Sequence, residues 1–460
     1  MNYRLESDSI GTLKVPEDAY YGVQSLRGYN NFRITGKKAN DTFIKNVTLI
    51  KKVAAEINGK YGYIKADTAD AIVKACEEVL QGKLKKDFIT DAVQGGAGTS
   101  VNMNVNEVIA NRATEILGGK KGEYLCHPND DVNCSQSTND VIPTAGKMTV
   151  LDLADKLLKN LENLIDALTD KAVQFDDIIK MGRTQLEDAV PIRLGQEFAA
   201  YASLFKRDYQ RIKYCLKEMH VINLGGTAIG TAVNVGKEYL VNIAKSLSEE
   251  CDREFTQAEN LIDSTQNVDG FVIVSSGLKA CAVNLSKMCN DLRLMSSGPK
   301  TGLAEITLPA MQNGSSIMPG KVNPVIPEVV SQVAFLVIGN DVTISMAAEG
   351  GQLELNAFEP VIFYKLFESL TCMSNAIKTL VENCIIGITA NKEHCEELLY
   401  GSVGVITALC PYFGYKKSAE IAKEALKKNV RVRDLILEYG LMEEELLDKV
   451  LDPYSMTEPK

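Results

Sequence analysis

The feature of this sequence that most limits its fold is a set of long apolar stripes with helical spacing. The first stripe follows Pro143 and recurs at alternating steps of four and three residues. It consists of Val150, Ala154, Leu157, Leu161, Leu164 and Leu168. Alternating steps of this kind place all the side chains on one face of a long helix and are typical of helices that pack in bundles. The stripe therefore predicts a bundle helix.

The same pattern returns along the next 220 or so residues. A second stripe follows Pro191 and consists of Leu194, Phe198, Tyr201, Phe205, Tyr209 and Ile212. We expect it to form a helix antiparallel to the first one and to end near Gly225 and Gly226. Further helices are expected over residues 264–296, 327–349 and 356–386, each bounded by Gly or Pro. Five long helices in succession predict an all-α bundle.

A chain of 460 residues is too long for one simple core, so we expect additional domains. Residues 1–140 alternate helical segments with Gly- and Asn-rich loops and predict a mainly helical N-terminal domain. Residues 141–394 form the elongated central bundle of long helices, and residues 395–460 a small helical C-terminal domain. Strands are expected only as short hairpins around residues 3–15 and after Asn223.

Composition and charge exclude several classes of partner. The net charge of -10 and the pI near 5.2 argue against nucleic acid, whose backbone such a surface repels. No run of about 18 apolar residues predicts a membrane span. The eleven cysteines are odd in number and form no CxxC pair, which is typical of reduced thiols in the cytoplasm. We expect a cytoplasmic protein with no metal and no cofactor, because no metal-ligand cluster is recognisable.

The segment with the densest polar chemistry is GSSIMPGKVNP, residues 314–324. It is not a phosphate loop, because five residues separate Gly314 from Gly320 where that motif has four, and Val322 stands where Ser or Thr would hold magnesium. The plain alternative is a flexible Gly- and Pro-rich connection between two helices. That alternative explains neither the apolar Ile317–Met318 pair nor the Lys and Asn two residues apart.

Three further polar segments accompany this loop. They are GGAGT (95–99) leading into Asn102, SQSTND (135–140) followed by Pro143, and MGRT (181–184). Together with the 314–324 loop, which reads GSSxMPxKxNP, they resemble the aspartase/fumarase superfamily, in order from about residue 10 to 455. The resemblance implies the all-α fold expected above. It also implies a homotetramer in which each active site draws loops from three subunits.

Three positions resemble the aspartase branch of the superfamily more than the fumarase branch. Gln185 stands where fumarases carry His; VIPE (325–328) follows the loop, and GQLELN (351–356) replaces the fumarase form. The resemblance then implies reversible deamination of L-aspartate to fumarate and ammonia. A class II fumarate hydratase, a lyase for larger amino-substituted succinates and a noncatalytic structural homologue are the alternatives. The last should have lost some of Thr99, Thr138, Ser315 or Lys321, and all four are present.

The resemblance also implies a role for each site residue. Ser315, as an alkoxide, is the expected general base, and it needs activation by neighbouring backbone N–H groups and Lys321. Charge on the enediolate intermediate would be met by Thr99, Ser137, Thr138 and Ser316.

The rest of the substrate is expected to bind at a second group of side chains. The other carboxylate would be bound by Lys321, Asn323 and Thr184, and the amino group by Asn139 and Gln185. None of the three histidines is expected to be catalytic, and the 314–324 loop is expected to close over substrate.

Overall fold

The structure is a computed structural model and describes residues 2–458. Helices dominate it, and the strands are short. The elements are, in chain order, β1 (Tyr3–Ser7), β2 (Thr12–Pro16), α1 (Val23–Asn31), α2 (Asp41–Lys60), α3 (Ala66–Leu80), α4 (Thr99–Ile116), α5 (Thr138–Gln174), β3 (Ile179–Thr184), β4 (Glu187–Arg193), α6 (Leu194–Cys215), β5 (Val221–Ile222), α7 (Lys237–Cys251), β6 (Thr256–Gln257), α8 (Leu261–Gln266), α9 (Asp269–Met295), β7 (Ile306–Thr307), α10 (Val325–Glu349), α11 (Glu359–Asn383), β8 (Thr389–Ala390), α12 (Lys392–Gly401), α13 (Cys410–Lys428), α14 (Val432–Glu438) and α15 (Glu444–Val450). The all-α fold class is confirmed.

The expected long helices are α5, α6, α9, α10 and α11, which run for 37, 22, 27, 25 and 25 residues. Every residue of the first apolar stripe, from Val150 to Leu168, is completely buried. Helices α5 and α6 are antiparallel: the rings of Phe175 and Phe198 lie 5.3 Å apart near one end. Further along α6, the Tyr209 hydroxyl donates to Glu162, which lies earlier in α5, at 2.9 Å. Helix α6 ends at Cys215, ten residues before the predicted end, because Leu216–His220 tightens into a 3-10 turn that leads into β5.

Helix α5 begins before Pro143 rather than after it. Ser137 precedes the helix, and its Oγ accepts from the backbone N–H of Asn139 while its own N–H donates to the Asp140 carboxylate, a reciprocal cap. Pro143 lacks the N–H that would bond to the carbonyl of Asn139 four residues earlier. The side-chain amide of Asn223 donates to that carbonyl instead, at 3.0 Å. The helix therefore continues through the proline.

Within residues 2–458 the strands form four two-stranded sheets. The expected hairpin near the N-terminus is present as β1 and β2, which pair from Tyr3–Pro16 to Ser7–Thr12. The prediction of a hairpin after Asn223 is wrong. There β5 pairs in parallel with β6, and the segment that follows turns repeatedly through positive φ angles, at Gly225, Thr227 and Gly230. A hairpin that was not expected, β3–β4, carries the MGRT segment.

The chain divides into two compact units. One unit comprises the described part of Met1–Leu157, with Arg211–Ala280 and Leu336–Cys372. Its core contains a cluster of four aromatic rings: Phe363 lies 5.4 Å from Phe43, 5.2 Å from Phe271 and 5.7 Å from Phe367, centroid to centroid. Gly146 faces this cluster, and a Cβ there would lie 2.4 Å from the Phe363 ring. Only a residue without a side chain leaves room there for the Phe363 ring.

The other unit comprises Leu158–Gln210, Cys281–Phe335 and the described part of Met373–Lys460. Ile179 and Met181 of β3 belong to the same buried apolar cluster as Leu399, Leu409 and the other inward-facing residues of the C-terminal helices. The base of the β3–β4 hairpin is therefore anchored in that cluster. The three-domain division expected from the sequence stays a prediction.

Candidate active site

The 314–324 loop is closed by its own backbone. The N–H of Gly314 donates to the carbonyl of Lys321 at 2.8 Å, and the side-chain amide of Asn323 donates to the carbonyl of Gly314, also at 2.8 Å. A Cβ on Gly314 would lie 2.7 Å from the Lys321 carbonyl oxygen, so glycine is required at this crossing. The amide of Asn323, expected to bind substrate, thus also shapes the loop. The residues between the crossing points are presented to solvent, with Ile317 83% exposed.

Ser315 has the environment that an alkoxide base requires. Its Oγ accepts from the backbone N–H groups of Ile317 at 3.2 Å and Met318 at 3.0 Å. Two N–H dipoles directed at one oxygen stabilise negative charge on it, and hydrogen bonds to a charged form favour that form. Lys321 is exposed, and no carboxylate among the described residues lies within ion-pair distance of its ammonium group. Its charge is therefore available to an anionic ligand. Ser316 is exposed beside Ser315.

Thr99 is the first residue of α4. The glycine before it, Gly98, has a φ of +89°, and a Cβ there would lie 2.7 Å from the side chain of Ile142. The buried side chain of Gln94 stabilises the first turn of the helix by accepting from the backbone N–H of Val101 at 3.1 Å. Thr99 is exposed at this positive end of an 18-residue helix, where an anion is favoured.

The segment Ser137–Asn139 presents its polar groups at the start of α5. Because the Ser137 Oγ accepts from a backbone N–H, its own proton is left to donate. The Thr138 Oγ accepts from the side-chain amide of Asn102 at 3.3 Å, which likewise leaves its proton free. The amide of Asn139 donates to the carbonyl of Ala228 at 2.7 Å, which leaves its oxygen as an acceptor. An oxygen acceptor suits an ammonium group.

Thr184 and Gln185 lie at the exposed tip of the β3–β4 hairpin. The turn has two residues, Gln185 and Leu186, with φ of +55° and +67°. Two-residue hairpin turns favour such angles, but they normally use Asn or Gly to reach them. Along β3, the fully buried carboxylate of Glu305 accepts from Arg183, two residues before the turn, at 2.6 Å and pairs with Lys180 at 2.8 Å. This ion-pair network holds the tip in one orientation.

The chain matches the lyase family over residues 11–339 and the C-terminal region of fumarase C over residues 405–458. The chain belongs to the aspartase/fumarase superfamily of lyases. Among its curated relatives, the aspartate ammonia-lyase of Helicobacter pylori is 51% identical, with 99% of this chain and 98% of the relative covered. That of Bacillus subtilis is 49% identical over 99% and 96%, and that of Escherichia coli 48% over 100% and 97%.

Solved structures of this superfamily have the same fold as this chain. The fumarate lyase:delta crystallin from Brucella melitensis, solved bound to cobalt, is 46% identical with a TM-score of 0.97, and both chains are covered completely. The class II fumarase from Schistosoma mansoni is 36% identical with a TM-score of 0.96, and 99% of each chain is covered. The predicted membership of the superfamily is confirmed.

In this member of the superfamily the expected site residues fall into two sets. Thr99, Ser137, Thr138 and Asn139 belong to the first unit, where Asn102 connects Thr138 to the helix that begins at Thr99. The second unit holds Thr184, Gln185, Ser315, Ser316, Lys321 and Asn323. Each set is exposed or half-buried, as residues that bind a ligand must be.

No sequence pattern pointed to the residues whose hydrogen bonds support these groups. Asn102 and Asp140 lie inside the quoted segments, but nothing in the sequence showed that they turn inward. Glu305 carried no local signal, since its partners Arg183 and Lys180 lie more than 120 residues earlier. His127, expected to be noncatalytic, caps a short turn: its Nδ1 accepts from two backbone N–H groups at 3.3 and 3.2 Å.

Proposed function

We propose that this chain is an aspartate ammonia-lyase that interconverts L-aspartate with fumarate and ammonia. The relatives with this activity are about half identical to it over almost the full length of both chains. Gln185 supports the same branch, because a neutral amide gives no acid for the departure of hydroxide, whereas ammonia needs less help. The observation that carries the chemistry is the Ser315 Oγ, which two backbone N–H groups face on a loop with a free cation.

The proposed reaction begins with transfer of the C3 proton of aspartate to Ser315 Oγ. The electron pair of that C–H bond passes into the neighbouring carboxylate and gives an aci-carboxylate carrying two negative charges. Collapse of this intermediate forms the C2–C3 double bond and breaks the C–N bond, so that ammonia leaves and fumarate remains. The C–H bond is weakly acidic, so the rate depends on fixed donors that meet the new charge.

Each side chain has a proposed part in this reaction. Thr99, Ser137, Thr138 and Ser316 donate to the aci-carboxylate, and each donor contributes about 2.7–4 kcal/mol if it acts like an oxyanion-hole group. Lys321, Asn323 and Thr184 bind the other carboxylate. Asn139 and Gln185 accept from the amino group. The loop of residues 314–324 closes over the bound substrate before proton transfer.

The test is ammonia release from L-aspartate by the wild type and by Ser315→Ala, with fumarate followed by its absorbance. Loss of a general base should lower kcat about 10²–10⁴-fold. Ser203→Ala is the matched control, because Ser203 is exposed on α6. A Ser315→Ala enzyme with near-normal turnover would remove Ser315 as the base. A wild type that hydrates fumarate to malate and releases no ammonia would favour the fumarase alternative.

A second experiment addresses the choice between ammonia and water. Gln185→His places at the hairpin tip the side chain that fumarases carry. We expect ammonia release to be retained and fumarate hydration to appear, measured as malate formed from fumarate. If hydration does not rise, position 185 does not decide between the two reactions.

We also propose that the chain acts as a homotetramer with shared active sites. Helix α10 presents an exposed seam at Gln332, Phe335, Gly339, Val342 and Met346, whose steps of three, four, three and four match helix-to-helix packing. Phe335 is 62% exposed and Met346 69% exposed, and no side chain approaches Gly339. Exposed apolar side chains with this spacing are stabilised by packing against another helix, and a second copy of α10 has the matching spacing.

The apolar character of α10 has one other possible cause. By length and composition this helix could cross a membrane. Its middle, however, carries Asp341, which accepts from Ser275 at 2.8 Å and Lys279 at 2.6 Å. Asn340 beside it donates to Ser369 at 3.1 Å. Polar contacts with α9 and α11 favour a helix packed in a bundle.

Light scattering after gel filtration tests the tetramer. Phe335→Glu should dissociate it, because a charge cannot be buried in an apolar seam without a partner. Leu426→Glu is the control, since Leu426 is 65% exposed on a different helix, α13. A tetramer that survives Phe335→Glu would remove α10 as the interface. A cytoplasmic location is likewise proposed, supported by eleven cysteines that are all free thiols.

A further inference from the structure

The first unit contains a lysine that is completely removed from solvent. Lys51 lies in α2 with no exposed surface, and its Nζ donates to the Oδ1 of Asn133 at 2.8 Å. Among residues 2–458 no carboxylate lies within ion-pair distance of it. Burial lowers the pKa of this ammonium to about 7, an effect that the charge of Asp140 partly offsets. Burying a lysine amine without an ion pair is costly, so a role beyond packing is expected.

The lysine is connected to the proposed substrate-binding segment through two asparagines. The Oδ1 of Asn133 accepts from Lys51 and also from the side-chain amides of Asn102 and Asn106, each at 3.1 Å. The same Asn102 amide donates to the Oγ of Thr138 at 3.3 Å. The amide of Asn133 donates to the carbonyl of Gln136, the residue before Ser137, at 3.1 Å. Lys51 therefore restrains the segment at both Gln136 and Thr138.

A buried anion holds the other side of the same segment. Asp140 has no exposed surface and accepts from the backbone N–H of Ser137 at 2.9 Å. It also accepts from the backbone N–H groups of Gly225 at 3.0 Å and Thr227 at 3.1 Å. Burial raises the pKa of Asp140 to about 6, against the effect of these donors and of Lys51. The Ser137 and Thr138 hydroxyls thus belong to a segment that is hydrogen-bonded directly to Asp140 and, through the two asparagines, to Lys51.

We propose that Lys51 is a positioning residue for catalysis, which orients the Ser137 and Thr138 hydroxyls through Asn133 and Asn102 and touches no substrate. This inference rests on the proposed function, in which those hydroxyls meet the charge of the aci-carboxylate. A hydroxyl displaced by a fraction of an ångström loses more of its interaction with the transition state than with the ground state. The loss should therefore fall on kcat more than on KM.

The test is a double-mutant cycle on aspartate deamination. Lys51→Met keeps the length of the side chain and removes the amine that donates to Asn133, and should lower kcat about 10–100-fold, the range for partners that orient a functional side chain. In a background that lacks both hydroxyls, Ser137→Ala with Thr138→Ala, the same change should lower kcat by less than about threefold, because the groups through which it acts are gone. If Lys51 only supports folding, the fold-loss in kcat caused by Lys51→Met multiplies with the fold-loss caused by removing the hydroxyls.

Lys52→Met is the matched control. Lys52 is the next residue, and its ammonium pairs with Glu250 at 2.7 Å outside the relay. It should leave kcat unchanged. If Lys51→Met does not fold, Asn102→Ala tests the same connection, since the Asn102 amide joins Asn133 to Thr138. A near-normal kcat in that variant overturns the inference.

The outcomes separate this inference from the proposed function. If the wild type is active but the losses in kcat multiply, or Lys51→Met keeps the wild-type kcat, the role of Lys51 is overturned and the proposed deamination stands. A wild type that releases no ammonia overturns the proposed function, and the inference with it. An active wild type with a non-multiplying cycle supports both.

Discussion

The continuity of α5 through Pro143 depends on Asn223, which lies eighty residues downstream. The Asn223 side chain is fully buried and donates to the Asn139 carbonyl and to the Thr265 hydroxyl, each at 3.0 Å. Thr265 keeps a second bond, to the Leu261 carbonyl at 2.7 Å, when the asparagine is removed. The Asn139 carbonyl has no such replacement, because the proline cannot donate to it.

Asn223→Ala should lower the free energy of unfolding by about 2–3 kcal/mol. One stranded carbonyl costs about 1–3 kcal/mol, and the lost bond to Thr265 adds about 1 kcal/mol. The half-buried position of Asn139 allows some access of water, which keeps the sum below the upper limit. Because Asn139 is proposed to bind the amino group, the KM for aspartate should rise as well.

The assay is urea unfolding followed by circular dichroism, at one protein concentration, since assembly makes stability concentration-dependent. Asn242→Ala is the control. Its amide donates only to the Glu238 carbonyl one turn earlier on the surface of α7, so the change should stay within about 0.5 kcal/mol. If Asn223→Ala also stays within about 0.5 kcal/mol of the wild type, the amide does not replace the missing helix bond.

Three further predictions concern the other supports of the fold and the site. Gly98→Ala should destabilise the protein by about 1–3 kcal/mol and lower kcat/KM, because the new Cβ would meet Ile142 at 2.7 Å and displace the start of α4; unchanged urea unfolding and kinetics would contradict this. Glu305→Ala should cost about 1.5–3 kcal/mol in urea unfolding, since Arg183 and the buried Lys180 each lose a charged partner while Lys180 keeps Glu197 at 3.0 Å, and a change below about 1 kcal/mol would show that the network contributes little. Burial raises the pKa of Glu359 from 4.5 to about 8, so the folded protein holds this proton more tightly than the unfolded one. The free energy of unfolding of the wild type should therefore fall relative to that of Glu359→Gln as pH rises from 4.5 to about 8. A difference between the two free energies that does not vary with pH would contradict this.

Much of the fold could be predicted from local patterns. The stripe from Val150 to Leu168 is buried at every position, because a period of 3.6 residues leaves only one face available to a core. The loop around Ser315 was recognisable for a similar reason. Its Gly, Ser, Lys and Asn residues are contiguous, and the hydrogen bonds that close it run between residues at most nine apart.

The tertiary structure decided what depends on residues far apart in the chain. Local rules end a helix near Pro143, yet α5 runs through it because Asn223 supplies the missing donor. Local preferences disfavour a turn at Gln185 and Leu186, yet the hairpin forms because its base is anchored in the C-terminal apolar cluster. A lysine in α2 reads as a solvated charge, and only the packing of its neighbours turns Lys51 inward. Sequence patterns report which face of a segment is apolar, whereas hydrogen-bond partners across the core are set only when the segments pack.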